Sequence, residues 1–253
     1  MPKVFKLAML VLLASAVAFA QENSAPQTQQ PQQNATTSAQ SSAKSSAPAT
    51  LESVLAAMDA ASAKFKSAEA TLTSQQYQKV VDETDAQKGT VYFQRHGQDL
   101  EMMLNITEPD TKYVLVKGDK AQLYQPSIDQ VTEYNVAGNR QDVEGMFALG
   151  FGGKGHDLLK SFEVRLLGNE TVDGVNTSKL ELTPKSVKVH NMFSRITLWM
   201  DPARDVSLLQ QFDEPSGDWR KAHYSDIKLN QHISSDVFKL NTTSKTKVVR
   251  PQG

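Results

Sequence analysis

Apolar and polar residues alternate with a period of two along most of the chain beyond residue 66, which is the spacing of a β-strand with one buried face. Gly, Pro, Asn and Asp residues interrupt this alternation at short intervals and mark turns. Short connections favour antiparallel pairing of consecutive strands. The pattern predicts an almost continuous antiparallel meander of eleven strands, at about 68–81, 88–96, 99–106, 112–117, 121–125, 129–135, 162–168, 177–183, 194–200, 206–212 and 219–228.

A helical period precedes the strands. Leu55 and Met58 belong to a row of apolar residues spaced three or four positions apart, with alanines between them. Thr50 suits the N-cap, because its hydroxyl can accept a hydrogen bond from the first turn. One amphipathic helix is therefore predicted at about 50–66.

Residues 139–161 break the alternation and are rich in glycine. They predict one or two short helices around a Gly-rich loop. Phe147, Leu149 and Phe151 make this segment too apolar for a plain surface connection, so we expect it to lie against the sheet.

The predicted strands each have one apolar face, and two of them carry especially large side chains. Side chains two positions apart share a face. The helix at 50–66 and the segment 139–161 are the available covers, and they are small for a sheet of this size. Either the sheet closes on itself or it keeps a cavity. The clearest apolar rows are Leu100, Met102 and Leu104 in one strand and Ile196, Leu198 and Met200 in another.

The first twenty residues have the features of a secretory signal peptide. Lys3 and Lys6 precede an apolar run, and Ala18-Phe19-Ala20 supplies the small-x-small pattern of a cleavage site. The run is shorter than the roughly 20 residues of a membrane-spanning helix. We expect cleavage near Ala20 and export to the periplasm.

Residues 21–49 are mostly Gln, Ser, Ala and Thr, without aromatic or large aliphatic side chains. Such a segment cannot bury enough apolar surface to offset its ordering entropy. It predicts a disordered linker, followed by a single domain at 50–253.

Cysteine is absent from the chain, so neither a disulfide nor a lipid attached at the cleavage site is possible. Without Lys3 and Lys6 the chain has 25 basic and 28 acidic residues, a formal charge of −3. This balance argues against nucleic-acid binding and against attraction to anionic lipid surfaces. We expect a soluble monomer without stable membrane insertion.

Catalytic motifs do not stand out. The chain lacks G-x-S-x-G, and its five histidines lack the H-x-x-x-H and H-E-x-x-H spacings. The run GFGGKGHD at 150–157 departs from a phosphate-binding loop, because Gly155 follows Lys154. A protein without enzymatic activity, cofactor or metal is therefore favoured. A lipid hydrolase would need His190 or His223 beside an acid in a pocket.

Several segments in a fixed order resemble the periplasmic lipoprotein carriers of the LolA/LolB type over roughly 50–245. They are KGTVYFQR (88–95), EPD (108–110), VLVKGDKAQLYQPSIDQV (114–131) and DVFKL (236–240). The residues that match the family signature are Gly89, Arg95, Gly118, Tyr124, Pro126, Gln130 and Val131.

The resemblance implies an α+β, mainly-β fold: an incomplete antiparallel barrel of about eleven strands with a helical lid over a hydrophobic cavity. It also implies that Arg95 acts as a latch, donating hydrogen bonds to lid carbonyls and keeping the empty carrier closed. A guanidinium suits this task because it has five donors and stays charged. The family commonly has Pro after this arginine, whereas this chain has His96. The expected cavity walls are Leu100, Met102, Leu104, Ile196, Leu198 and Met200, and the expected lid residues are Leu55, Met58, Phe147, Leu149 and Phe151.

The function implied is shielding of the acyl chains of lipoproteins or other lipids between the inner and outer membranes. Exposing an acyl chain of about sixteen carbons to water costs on the order of 12 kcal/mol. Because no nucleotide site is visible, an inner-membrane transporter is expected to load the carrier and an outer-membrane receptor to unload it. The alternative is a lipid-sensing or scaffolding domain of the same fold with a regulatory protein partner, which a filled sheet without a cavity would favour.

Overall fold

The computed structural model describes residues 49–97, 99–139, 145–146 and 148–251. The predicted signal peptide, the linker up to residue 48, and Phe147 lie outside the described residues. No helix in the described part of the chain has the length and apolar character needed to cross a membrane.

Twelve strands form one sheet within the described residues, and all eleven predicted strands are among them. The boundaries agree with the predictions to within a few residues, because the period-two signal is local. The strands are β1 (Ser67–Gln78), β2 (Glu83–His96), β3 (Asp99–Glu108), β4 (Lys112–Lys117), β5 (Lys120–Gln125), β6 (Gln130–Asn135), β7 (Phe162–Val172), β8 (Val175–Pro184), β9 (Arg195–Asp201), β10 (Val206–Asp213), β11 (Trp219–Leu229) and β12 (Lys247–Val249).

The sheet consists of two meanders, β1 to β6 and β7 to β11, that join where β1 pairs with β11. Its order is β12-β6-β5-β4-β3-β2-β1-β11-β10-β9-β8-β7, so β12 and β7 are the edges and the sheet stays open. The fold class is therefore confirmed as mainly β with an incompletely closed sheet. Two details differ from the prediction. There is a twelfth strand, and β12 pairs with β6 in parallel, because the chain beyond β11 returns to the far edge of the sheet.

Three α-helices are complete within the described residues: α1 (Leu51–Lys64), α2 (Gly155–Ser161) and α3 (Val187–His190). Short 3₁₀ turns occur at Pro126–Ile128, Ala137–Asn139 and Ser235–Phe238. Thr50 caps α1 as expected. Its side chain accepts a hydrogen bond from the Ser53 amide, and the Ser53 hydroxyl accepts one from the Thr50 amide.

Both faces of the sheet are partly covered. The face that carries α1 and residues 148–158 is here called the lid face, and its buried side chains form two clusters. On the opposite face Met103 and Leu115 pack against Ile233 and Phe238 from the segment that follows β11. The predicted covers, the helix at 50–66 and the segment 139–161, concern the lid face; the cover of the opposite face by this C-terminal segment was not predicted.

Candidate functional site

Residues 148–153, here called the lid loop, are hydrogen-bonded to the lid face. The Gln210 side-chain amide donates to the Leu149 carbonyl oxygen at 2.5 Å, and the Ser207 amide donates to the Gly150 carbonyl at 2.9 Å. Gly150 and Gly152 have φ values of +75° and +77°, which residues other than glycine rarely adopt. The loop therefore follows a tight path that places successive carbonyls against β10.

Phe151 is the apolar anchor of the lid loop and is fully buried. Its ring stacks on Phe93 at a centroid distance of 5.0 Å and meets the edge of Tyr224 at 4.8 Å. Burial raises the pKa of Tyr224, whose hydroxyl donates to Gln210 at 3.2 Å. Phe151 thus fills part of the lid face with the protein's own side chain.

Arg95 connects the lid loop to α1. One terminal nitrogen of its guanidinium donates to the Ser62 carbonyl at 3.1 Å, and the other donates to the Gly152 carbonyl at 2.7 Å. The Ser62 hydroxyl donates to the same Gly152 oxygen at 2.6 Å. The guanidinium of Arg95 therefore links α1 to the lid loop through hydrogen bonds to two neutral backbone oxygens.

The start of α2 is tied to α1 through His156. The His156 amide donates to Asp59 Oδ1 at 3.2 Å, and Nε2 of its ring lies 3.3 Å from both carboxylate oxygens of Glu52. Hydrogen bonding to the side chain of Asp59, and then to that of Glu52, raises the pKa of His156. Partial burial opposes ionisation of Asp59, but hydrogen bonds from His156 outweigh it and lower the pKa of Asp59.

The six predicted wall residues are all buried on the lid face. Those of β3 belong to one cluster together with Phe151, and those of β9 belong to the other together with Leu55, Met58 and Leu149. The structure thus brings the predicted lid and wall residues together, apart from Phe147, which lies outside the described residues.

A cavity of about 830 Å³ lies beside these clusters, between α1, the lid loop, α2 and the start of α3. Met58, Leu149, Leu158 and Phe162 supply apolar lining, and Arg95 lies at its side. None of the six predicted wall residues is among the described residues that line it. The cavity therefore lies at the margin of α1 and the lid loop, while the predicted walls are deeper and are covered by side chains of these two elements.

A second hollow of about 360 Å³ lies near β6 and β12. Glu133 and Arg250 are among its lining residues and form an ion pair at 3.0 Å. Across the described part of the chain, no group of three or more His, Asp or Glu side chains is arranged to hold a metal ion.

The sequence reasoning missed the partners of Arg95. Ser62 looks like any polar helix residue, and Gly152 is one of several glycines in its segment. Gln210 and Tyr224, which anchor the lid loop, also lie on strands without any local signal. Gln210 donates a hydrogen bond to Leu149, which lies 61 positions earlier in the chain. The Tyr224 ring contacts Phe151, which lies 73 positions earlier.

Residues 63–241 match the family model described as outer membrane lipoprotein carrier protein LolA. The chain belongs to the LolA family. The resemblance inferred from the sequence is thereby confirmed. No curated protein sequence matches the chain.

Several solved structures are similar to the chain at low sequence identity. An uncharacterized conserved protein from Thermus thermophilus is 12% identical, with a TM-score of 0.52 over 79% of this chain and 98% of that chain. A LolA superfamily protein from Nitrosomonas europaea is 17% identical, with a TM-score of 0.39 over 76% and 99% of the two chains. The Pseudomonas aeruginosa MucA/MucB complex gives 11% identity and a TM-score of 0.46, over 76% and 61%. At 12% identity the likeness to the Thermus thermophilus protein concerns the fold alone.

Proposed function

We propose that this protein is a periplasmic carrier that shields the acyl chains of lipoproteins or other lipids during transfer from the inner to the outer membrane. The observation that supports the proposal is that Arg95 donates hydrogen bonds both to α1 and to the lid loop, beside a large apolar sheet face. Hydrogen bonds to two backbone carbonyls form a closure that can reopen without breaking a buried ion pair.

Opening this lid exposes apolar surface suited to an acyl chain. Phe151, Leu149 and Met58 leave the sheet, and the rows of Leu100, Met102 and Leu104 and of Ile196, Leu198 and Met200 become accessible. A bound chain then replaces lid side chains as the apolar partner of these strands. Each methylene kept from water contributes about 0.8 kcal/mol.

In the closed state the protein's own lid side chains cover the apolar sheet face. This arrangement favours transfer of lipid over long-term storage. Binding of lipid replaces contacts within the protein by contacts with the ligand. The binding free energy is therefore smaller than the free energy gained by moving the whole acyl chain out of water. Moderate affinity allows a receptor that binds lipid more tightly to unload the carrier. An inner-membrane transporter as loader, an outer-membrane receptor and the absence of enzymatic activity complete the proposal.

Periplasmic location rests on the predicted signal peptide, residues 1–20, and on the family to which the chain belongs. Cleavage near Ala20 leaves residues 21–49 as an N-terminal extension of the exported domain, which is then free to approach either membrane.

A second function merits a test because Phe151 and the lid already fill much of the lid face. A domain that senses lipid, or that holds a regulatory protein partner, has less need of an open cavity than a carrier. A lipid sensor binds lipid without passing it on.

The experiment separates binding from transfer. Purified protein is titrated with an apolar fluorescent dye, which palmitate is then added to displace, and lipids that co-purify are identified by mass spectrometry. Transfer is measured as movement of a labelled acylated peptide between two vesicle populations. A carrier binds and accelerates transfer, a sensor binds without acceleration, and failure of both dye and palmitate to bind refutes the carrier and the lipid sensor and leaves the domain that holds a protein partner.

A further inference from the structure

Basic residues dominate the charged lining of the 830 Å³ cavity. Among the described lining residues, five are basic and one, Asp157, is acidic, which leaves a formal charge of +4 in a chain whose total is −1. The basic residues are Arg95, Lys154, Lys160, Lys185 and Lys188. We propose that this cavity binds the anionic headgroup of an acyl lipid, an inference that rests on the proposed function and specifies its ligand.

Among the described lining residues, Asp157 is the acidic one, and it is already engaged. Asp157 pairs with Lys160 at 2.7 Å. Arg95 donates to backbone carbonyls, and so does Lys185, whose Nζ lies 2.7 Å from the Leu159 oxygen. Like charges gathered around a cleft attract a counter-ion, and the attraction is stronger where the walls exclude water.

The apolar lining identifies the counter-ion as part of an amphiphile. Met58, Leu149, Leu158 and Phe162 are buried and belong to an apolar cluster of the lid face. Contact with this apolar lining does not stabilise a free inorganic anion. An acyl chain that extends from a phosphate or carboxylate can pack against the lining and is stabilised by it. The volume lies within the roughly 300–1,000 Å³ of ordinary small-molecule sites.

The arrangement also gives the ligand a direction. Lys154, Lys160, Lys185 and Lys188 are exposed, so the anionic group lies at the solvent side. Leu149 belongs to the same cluster as the wall residues of β9, so the chain enters toward β9. A headgroup at the margin and a tail beneath the lid are the geometry expected of a lipid partly withdrawn from a membrane.

The test compares two lysolipids with the same acyl chain, one with an anionic phosphoglycerol headgroup and one with a zwitterionic phosphocholine headgroup. Each is titrated against bound dye at low and at high salt. The anionic lipid is expected to bind roughly tenfold more tightly at low salt. The preference falls at high salt, because the screening length shortens from about 10 Å at 0.1 M to about 3 Å at 1 M.

The variant Lys154→Gln/Lys185→Gln is expected to lose roughly fivefold in affinity for the anionic lysolipid and to keep its affinity for the zwitterionic one. The matched control is Lys245→Gln/Lys247→Gln, which removes two exposed lysines outside the cavity lining and leaves both affinities unchanged.

The remaining outcomes distinguish this inference from the proposed function. Equal binding of both lysolipids, insensitive to salt and to the cavity variant, overturns the headgroup site and leaves the carrier intact. Failure of either lysolipid to bind overturns both. Inorganic phosphate that competes as well as the anionic lysolipid shows a simple anion site and overturns the lipid assignment.

Discussion

Nδ1 of His156 lies 2.5 Å from Oδ2 of Asp59, and this ion pair joins α2 to α1 across 97 positions of the sequence. The pair forms because the chain beyond the lid loop turns back to start α2 beside the middle of α1. Together with Arg95 it gives the lid two polar fastenings, one at the end of α1 and one nearer its centre.

The first prediction concerns the pH range in which this fastening operates. The pKa of His156 is raised above its ordinary 6.5, so its contribution is complete below that value and is lost as pH rises through the raised pKa. The pKa of Asp59 is lowered below 3.8, so its contribution is complete above that value and is lost as pH falls through the lowered pKa. The pair therefore stabilises the closed lid between these limits and weakens in alkali.

The measurement is the melting temperature of wild type and His156→Gln at about pH 5.5 and about pH 8.5. The wild type is expected to exceed the variant at the lower pH and to lose most of that advantage at the higher one. His232→Gln, which changes an exposed histidine outside the lid, serves as the control. An advantage that is the same at both pH values would show that His156 acts by packing alone.

Arg95→Leu tests the latch. Removing two hydrogen bonds from a charged donor is expected to lower the free energy of lid opening by about 2 kcal/mol. The Ser207 amide, which donates to the lid-loop carbonyl of Gly150, should then exchange its hydrogen roughly 30-fold faster. Hydrogen exchange followed by NMR provides the measurement.

Arg165→Leu is the matched control, because Arg165 is a largely exposed arginine at the sheet edge with an ion pair at 3.4 Å to Glu181. It should leave exchange at Ser207 unchanged. Unaltered exchange in Arg95→Leu, or equal acceleration in the two variants, would remove Arg95 from the closing mechanism.

Gly152→Ala tests the close approach of the lid loop to α1. A Cβ at this position would lie 2.5 Å from Cδ1 of Phe65, and the backbone has a φ of +77°. Gly174→Ala is the control, since its φ of +78° is nearly identical and no atom lies within 4 Å of its Cβ. Both changes carry the left-handed backbone cost of about 1–2 kcal/mol.

Urea unfolding should therefore show a larger loss for Gly152→Ala, by about 1–3 kcal/mol, because Phe65 and the lid loop must move apart. Equal losses of unfolding free energy in the two variants would mean that the lid loop moves away from Phe65 at no measurable cost in stability.

Phe151→Ala tests whether the protein's own side chain occupies the place of a ligand. Truncation of this fully buried ring is expected to cost about 3–5 kcal/mol of folding stability. It should also increase dye uptake, because a hollow opens between Phe93 and Tyr224. Fluorescence titration measures the uptake and urea unfolding measures the stability.

Phe193→Ala is the control. Phe193 is buried in the second cluster against Phe212, at a centroid distance of 5.4 Å. It should lose comparable stability without the gain in dye binding. A Phe151 variant that binds dye no better than wild type would indicate that the sheet closes over the vacated space.

Local patterns accounted for most of the secondary structure. Alternation of side chains is a property of neighbouring residues, so β1 to β11 could be predicted from the chain alone, as could α1 with its Thr50 cap. β12 has three residues and pairs in parallel with β6, which lies more than a hundred positions earlier. No local alternation of apolar and polar residues therefore predicts it. Met103 likewise shares its face with Glu101, and the segment that buries it lies far along the chain.

The sequence by itself determined strands β1 to β11, which of their side chains share a face and which family the order of motifs indicates, because these depend on local spacing and residue type. The tertiary structure decided which carbonyls Arg95 binds, that Phe151 fills the lid face, and that lysines from separate segments surround one cavity. Those features depend on how α1, the lid loop and the two meanders meet, and the free energy of that packing is distributed over contacts between residues distant in sequence.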